Sequence, residues 1–381
     1  MADRADVIIV GLGAMGSAAA YHLAKRGRRV LGFDRFHPPH TLGSSHGGTR
    51  IIREAYMEDP SYVPLVQRAY DLWAELEAES GKTLLTQTGG LMIGAPDSDV
   101  VLGALESARL HDLPHELLDA AALRGRAPGY ALPEDHVAVW EPRAGALDPE
   151  ACVATHLDLA AQHGADLRFD HPVERWRPDG DGVAVTTAQG TFLADRLILS
   201  AGAWTGSFHA KLELPLRVTR QTVHWYKPAR NPEHFAPDRF PIFVWRLPGG
   251  QAIYGFPDFG DGVKAGLHDT LEDADPDNVD REVGQDLVDQ MRDVFARYLP
   301  DAAGEFLRAE TCLYTRTPDG HFLIDRHHRH PQVVLASPCS GHGFKFSTVI
   351  GEVLADLALD GDSRFDLGLF SLQRLLRSKA S

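Results

Sequence analysis

Residues 7–34 read VIIVGLGAMGSAAAYHLAKRGRRVLGFD: a strand, a glycine turn, a helix, a second strand and an acid. Val7 to Val10 is a short apolar run of β-branched residues. Gly11, Gly13 and Gly16 follow in G-x-G-x-x-G spacing, Ala14 to Arg26 is rich in helix formers, and Gly27 stands where that helix should stop. Val30 to Phe33 then delivers Asp34. Each residue has a job if a dinucleotide binds here. Gly11 permits the tight turn, Gly13 lets the backbone approach a pyrophosphate, and Gly16 lets the helix pack closely on the strand. The helix N-terminus offers free N–H groups to the phosphates, and Asp34 accepts from the ribose hydroxyls. The flanking strand, helix and acid separate this pattern from a bare glycine turn. Taken alone, the stretch does not distinguish NAD, NADP and FAD.

A chain of 381 residues favours about two domains, and its 44% apolar content can fill sizeable cores. The formal charge of −15 argues against a nucleic-acid surface, which needs clustered cations. The nearest basic cluster, Lys25-Arg26-Gly27-Arg28-Arg29, ends the first helix, where cations suit the dipole. Asp3, Arg4 and Asp6 precede only a short apolar run, so no signal-peptide core is expected, and no apolar stretch reaches membrane-spanning length. The expectation is a cytoplasmic protein. Cys152, Cys312 and Cys339 are too few and too scattered for a disulfide framework or a metal site.

After Asp34, the segment FHPPHTLGSSHGGTRIIREAY is a polar loop beside the cofactor strand. It carries His46, then Arg50 and Arg53. A helix starting at Thr49 would put both guanidiniums on one face. Two solvated arginines, one paired with Glu54, are the competing reading. Ser61 to Glu79 repeats apolar residues at helical spacing and should be a long amphipathic helix. Gln87 to Gly94 reads as a strand, Val100 to His111 and His115 to Leu123 as helices, and Arg126 to Asp148 as a loop-and-strand excursion. A Pro-started helix from Pro149 to about His163 follows. Leu167 to Phe169, Val183 to Thr187, Thr191 to Leu193 and Leu197 to Leu199 read as strands. The last opens onto Ser200-Ala201-Gly202-Ala203, a second place where small residues admit a cofactor. Leu216 to Tyr226 and Pro241 to Phe256 suggest antiparallel strands of a second domain, Val283 to Leu299 a helix, and Ser347 to Leu359 a final helix. The fold class is α/β, a Rossmann-like domain plus an α+β domain with a mixed, largely antiparallel sheet.

Near the C-terminus, PCSGHGFKFSTVIGEVLADLA sets His342 between glycines and Lys345 between two phenylalanines, directly before a helix. Glycines and helix amides suit an anionic or carbonyl-bearing group. A snorkelling lysine is the plain alternative. Taken in order, GLGAMG, HGGTRIIREAY, YGFPDFGDGVKAGLH, CLYT and SGHGFKFS resemble the monomeric sarcosine oxidase and N-methyltryptophan oxidase family of flavin amine oxidases across nearly the whole chain.

That resemblance implies FAD, held by Gly11, Gly13, Gly16, Asp34, Arg35, Ser44, Thr49, Val173, Gly202, Gly341 and Gly343. It implies a covalent bond from Cys312 to the flavin, with Cys339 as the rival cysteine. It also implies that Arg53 and Lys345 bind a substrate carboxylate, that Arg50 and His46 lie at the flavin face, and that Lys264 activates oxygen. Tyr254, His268, Tyr314 and His342 would surround a secondary amine, oxidised to an imine with dioxygen as acceptor and hydrogen peroxide as product. Most of the chain's 19 histidines, among them His327, His328 and His330, are expected on the surface and not as ligands. The family expectation is a monomer, with residues 1–85, 146–215 and 320–381 in the FAD domain and 86–145 and 216–319 in the substrate domain. Ser45, Glu54 and Pro338-Cys339 depart from the family pattern at the pocket rim and bear on substrate identity.

Two other readings use the same residues. One is a flavin oxidase of cyclic imino acids or glycated amino acids, and the other a non-catalytic flavin-binding redox sensor. A NAD-dependent dehydrogenase is disfavoured by the turn at Ser200 to Ala203.

Overall fold

Val7, Ile8 and Ile9 are wholly buried because their strand, Ala5–Val10, runs between parallel neighbours under helices. The structure, a computed structural model, describes residues 4–208, 214–268 and 272–377. Ala5–Val10 pairs in parallel with Val30–Phe33 on one side and Gly190–Leu199 on the other. Asp166–Arg168 extends the sheet beyond Val30–Phe33, and Leu197 to Leu199 pairs in parallel with Val333 to Leu335. Antiparallel strands Val173–Asp179 and Gly182–Thr187 close one edge and Leu323–His327, antiparallel to His330–Ser337, the other, giving a sheet of eight strands among the described residues.

The first helix, Ala14–Lys25, packs against Pro149–Gln162 and Ser347–Leu359. Small residues set that approach: a Cβ on Gly351 would lie 2.5 Å from the Cβ of Ala18. The Pro149–Gln162 helix starts where expected, with Asp148 accepting from the Ala151 amide at 2.8 Å and Pro149 in the first turn.

The second sheet has nine strands among the described residues. All its pairings are antiparallel except that of Ile242–Arg246 with Gly90–Gly94. Phe306–Arg316, which carries Cys312, runs beside Arg217–Tyr226 over almost its whole length, and Val263–His268, which carries Lys264, lies on the other side of Arg217–Tyr226. The strand direction in each sheet follows the α/β plus mixed-sheet reading.

Several local expectations need correction. Arg50–Ile52 is a strand and no helix starts at Thr49, because the β-branched pair Ile51-Ile52 aligns with Ala146 and Gly145 from a distant segment. His115 to Leu123 is not one helix: Glu116–Leu118 pairs as a strand with Ala138 to Trp140, and a helix starts only at Ala120, capped by Asp119. Thr191 to Leu193 and Leu197 to Leu199 belong to one long strand. Ser347–Leu359 is not the last helix, since Leu372–Arg377 follows. His327 is buried, its ring stacked on His328 at 5.1 Å and edge-on to Trp176.

Candidate active site

A long cavity begins at the glycine turn and ends among Arg50, Arg53 and Lys345. Gly11, Gly13, Asp34 and Arg35 line one end, Ser44, Val173 and Gly202 its length, and Arg50, Arg53, Cys312, Gly341, Gly343 and Lys345 the other. Gly11 has φ of +90°, and a Cβ there would lie 2.5 Å from the Ser200 carbonyl oxygen, so the first turn and the Ser200 turn close on each other. Gly16 lies beneath the wall: its Cβ would sit 1.7 Å from the Gly11 oxygen. Asp34 accepts from the Leu12 amide at 2.7 Å and the Phe36 amide at 2.9 Å, which fixes the carboxylate at the cavity edge. Arg35 pairs with Asp277 at 2.8 Å and lies over the rings of Phe36 and Trp204. A groove of this shape, with glycine backbone at one end and a nucleophile at the other, fits an extended dinucleotide carrying a reactive ring.

At the reactive end, strand alternation in Phe306–Arg316 places Glu310, Cys312 and Tyr314 on one face. The Cys312 sulfur is 3.3 Å from Nη2 of Arg50 and 3.6 Å from Nε2 of His46. Burial opposes the thiolate, but the Arg50 guanidinium and His46 outweigh it and bring the thiol down to about 6. Burial instead pushes Cys339 and Cys152 up. Of the three thiols, only Cys312 is electrostatically prepared to be a nucleophile.

Arg50 is held by the carbonyls of Thr49 and Ser44, at 2.8 and 2.9 Å. Thr49 is not on the cavity wall. Its side chain and carbonyl accept from Lys264, which also donates to the Gly47 carbonyl at 2.6 Å. Lys264 is buried over the rings of Trp225 and Phe256, and burial, with Arg50 nearby, lowers it to about 7. His46 and Lys264 therefore sit just behind the wall that Arg50 and Cys312 form.

On the opposite side, Arg53 is buried and does not pair with Glu54. It donates to Glu58 at 2.7 Å and to the Ala55 carbonyl at 2.8 Å, whereas Glu54 pairs with Arg143 at 2.8 Å. Burial raises Glu58, but Arg53, His342 and Lys345 overcome it and hold the carboxyl at about 2. Lys345 is buried rather than snorkelling, donates to the His342 carbonyl at 2.7 Å, and lies over the rings of Tyr56 and Phe346. Its desolvation, with Arg53 close by, lowers it to about 7. His342 lines the cavity but its ring is engaged by the Tyr56 hydroxyl and the Gly320 carbonyl, and burial lowers it to about 4, so it is neutral. Tyr254, His268 and Tyr314 form an aromatic wall, with His268 edge-on to Tyr254 at 6.3 Å and 5.8 Å from Tyr314.

Sequence reasoning missed three carboxylates here. Glu58 neutralises Arg53, Glu310 faces His46 at 3.6 Å, and Glu141 accepts from the amides of Glu54 and Ala55 at 2.6 and 2.8 Å. Only Glu310 had a readable signal, its period-two spacing to Cys312 on a strand.

The fold and the cavity define a dinucleotide-binding oxidoreductase with the buried Cys312 at the far end of its groove. The family model for FAD dependent oxidoreductases (DAO) matches residues 6–357. A monomeric sarcosine oxidase of Streptomyces avermitilis is 45% identical over 384 residues, covering 100% of both chains. An N-methyl-L-tryptophan oxidase of Salmonella arizonae is 36% identical over 375 residues, covering 97% of this chain and 98% of that one. The solved structure of an L-proline dehydrogenase from P. horikoshii superposes with a TM-score of 0.87 over 99% of both chains at 21% identity, a likeness of fold. The chain belongs to the FAD dependent oxidoreductase family and, within it, to the sarcosine and N-methyltryptophan oxidase group.

Proposed function

We propose that the protein oxidises N-methyl or other secondary amino acids, with FAD attached covalently through Cys312. The observation that carries the substrate class is the pair of buried cations, Arg53 and Lys345, on the cavity wall opposite the prepared cysteine. A carboxylate drawn into a dry pocket needs fixed cations, because its lost hydration otherwise opposes binding. Arg53 and Lys345 are placed to supply them, and Tyr254, His268 and Tyr314 shape the space where the amine would lie.

Arg50 and Lys345 add positive charge that Glu58, engaged with Arg53, does not neutralise, which would favour loss of a proton from the bound ammonium and leave the nitrogen lone pair free. The flavin, when bound, supplies the two-electron chemistry, taking a hydride equivalent from the carbon beside nitrogen and passing electrons to dioxygen. Gly11, Gly13, Asp34, Arg35, Ser44, Val173, Gly202, Gly341 and Gly343 would hold it along the groove, with Thr49 and Gly16 supporting from behind. Lys264 keeps positive charge behind the Arg50 wall, where it would stabilise superoxide as it forms. The resulting imine hydrolyses, and an N-methyl substrate yields formaldehyde, the demethylated amino acid and hydrogen peroxide. The word monomeric in the relatives' names supports a single-chain enzyme.

Peroxide release from sarcosine, N-methyltryptophan and pipecolate tests the reading. Peroxide with an N-methyl amino acid is expected. Peroxide with pipecolate alone would favour a cyclic imino acid oxidase, and none with any amine would favour a redox sensor.

A further inference from the structure

Behind Arg53 the structure places a buried carboxylate that the oxidation chemistry does not touch. Glu141 ends the strand Val137–Glu141 of the nine-stranded sheet, opposite Gly90, and is 1% exposed without reaching the cavity wall. Its two oxygens each accept one amide of the peptide that follows Arg53, the Glu54 N–H at 2.6 Å and the Ala55 N–H at 2.8 Å. Arg53 turns back on the same peptide and donates to the Ala55 carbonyl at 2.8 Å. Ala55 is therefore held at its amide by Glu141 and at its carbonyl by Arg53. Two residues after Glu141, Arg143 donates to the Glu54 carboxylate at 2.8 Å and lies 4.6 Å over Tyr70, whose hydroxyl donates to the Arg143 carbonyl at 2.9 Å. We propose that Glu141 is a positioning residue: with Arg143 it clamps the Glu54–Ala55 peptide and so sets where the Arg53 guanidinium stands on the cavity wall. This rests on the reading of Arg53 as a carboxylate-binding cation and deepens it.

One strand pairing brings these groups together. Ile52 aligns with Gly145, so the corner at residues 142–144 lies beside the chain as it leaves the strand Arg50–Ile52. Residues 53–55 belong to no strand, so their buried amides need another acceptor, and a carboxylate offers two oxygens to successive N–H groups. An apolar residue at 141 would leave both amides unpaired. A glutamine would satisfy one and turn its own N–H against the other.

Burial pushes Glu141 up to about 7 against the two amide bonds, with Glu54 adding to the rise and Arg53 opposing it. Tyr70, packed against the same corner, is raised by burial and stays neutral. The charged carboxylate accepts from both amides, whereas a protonated one turns an O–H toward one of them and loses it. Arg53 is a long side chain, and its anchor at the Ala55 carbonyl fixes the guanidinium only as well as Ala55 itself is fixed. Releasing that peptide lets the guanidinium leave the place from which it meets a carboxylate, so binding weakens through lost preorganisation.

The test measures acetate binding to the flavin-loaded full chain by thermal shift, which needs no turnover, in wild type, Glu141→Gln, Arg53→Met and the double variant. Bound flavin absorbance shows that each folds. The acetate Kd should rise about tenfold in Glu141→Gln, the worth of one amide bond to a charged group. KM for sarcosine should rise with it, with a smaller effect on kcat. In Arg53→Met the Kd should rise further, and adding Glu141→Gln there should change it by less than about twofold, because Glu141 acts through Arg53. Arg143→Gln alters a half-exposed side chain and should raise the Kd about threefold. An unchanged Kd in Glu141→Gln, or in Arg143→Gln should Glu141→Gln not fold, overturns the positioning role. So does an effect of Glu141→Gln that is as large in Arg53→Met as in wild type, since a merely structural residue would act equally in both. Acetate that wild type does not bind, or that Arg53→Met binds as tightly as wild type, overturns the carboxylate reading beneath it.

Discussion

The Glu58 carboxylate meets the Arg53 guanidinium at 2.7 Å, so the cation best placed for a substrate carboxylate already holds one from its own chain. Under the proposed function, a substrate carboxylate would compete with Glu58 for the same guanidinium, and Lys345 would supply the additional charge that lets both be accommodated. The pair also contributes to stability. Glu58 titrates lower when folded, at about 2, than as a free carboxylate near about 4.5, so its contribution is complete above the free value and is lost as pH falls toward the folded one.

Glu58→Gln leaves Arg53 buried and uncompensated, which costs about 3 kcal/mol when a buried pair is broken from one side. Differential scanning fluorimetry should show a lower melting temperature at neutral pH. Added acetate or benzoate should restore more of it than in wild type, because the freed guanidinium binds them. The gap between variant and wild type should close as pH falls from about 4.5 toward 2. A variant no less stable than wild type would contradict the pairing.

Lys345→Met should raise KM for amino-acid substrates by about ten- to a hundredfold, the loss of one charge-assisted contact, with a smaller effect on kcat. Burial holds Lys345 at about 7 in the free enzyme, so wild-type kcat/KM should decline as pH rises through that value and the lysine loses its proton. The variant should lack that limb. A kcat effect with KM unchanged would remove Lys345 from the carboxylate clamp.

The positions of these charges were only partly legible in the chain. The glycine turn and Asp34 could be read because their spacing is local, and the amides that hold Asp34, those of Leu12 and Phe36, belong to the same short unit. Arg50 and Arg53 read as a helical pair because three-residue spacing is local information. The strand Arg50–Ile52, which ends just before Arg53, is set by pairing with residues 145–147, which local spacing does not reveal. Glu58 left no periodic mark, since it lies in an irregular segment between Arg53 and the turn at Pro60–Tyr62. Lys345 could not be told from a surface lysine until its packing over Tyr56 and Phe346 was seen.

Lys264→Met should slow reoxidation of reduced flavin by dioxygen about a hundredfold or more, while flavin reduction by substrate changes much less. Stopped-flow absorbance separates the two half-reactions. Because burial lowers Lys264 to about 7, wild-type reoxidation should slow as pH rises through that value. Equal effects on both half-reactions would remove the oxygen-activation role.

Cys312→Ala should still bind FAD, because the glycine turn, Asp34 and the Ser200 turn are untouched. Acid precipitation should leave yellow colour in the wild-type pellet and release it to the supernatant from the variant. Colour retained by the variant would move the linkage to another residue, with Cys339 the first to examine.

The most direct measurement is the product balance with an N-methyl amino acid. Purified enzyme supplied with sarcosine and air should form formaldehyde, glycine and hydrogen peroxide in equal amounts. Peroxide without formaldehyde, or consumption of neither sarcosine nor N-methyltryptophan, would contradict oxidation at the N-methyl carbon.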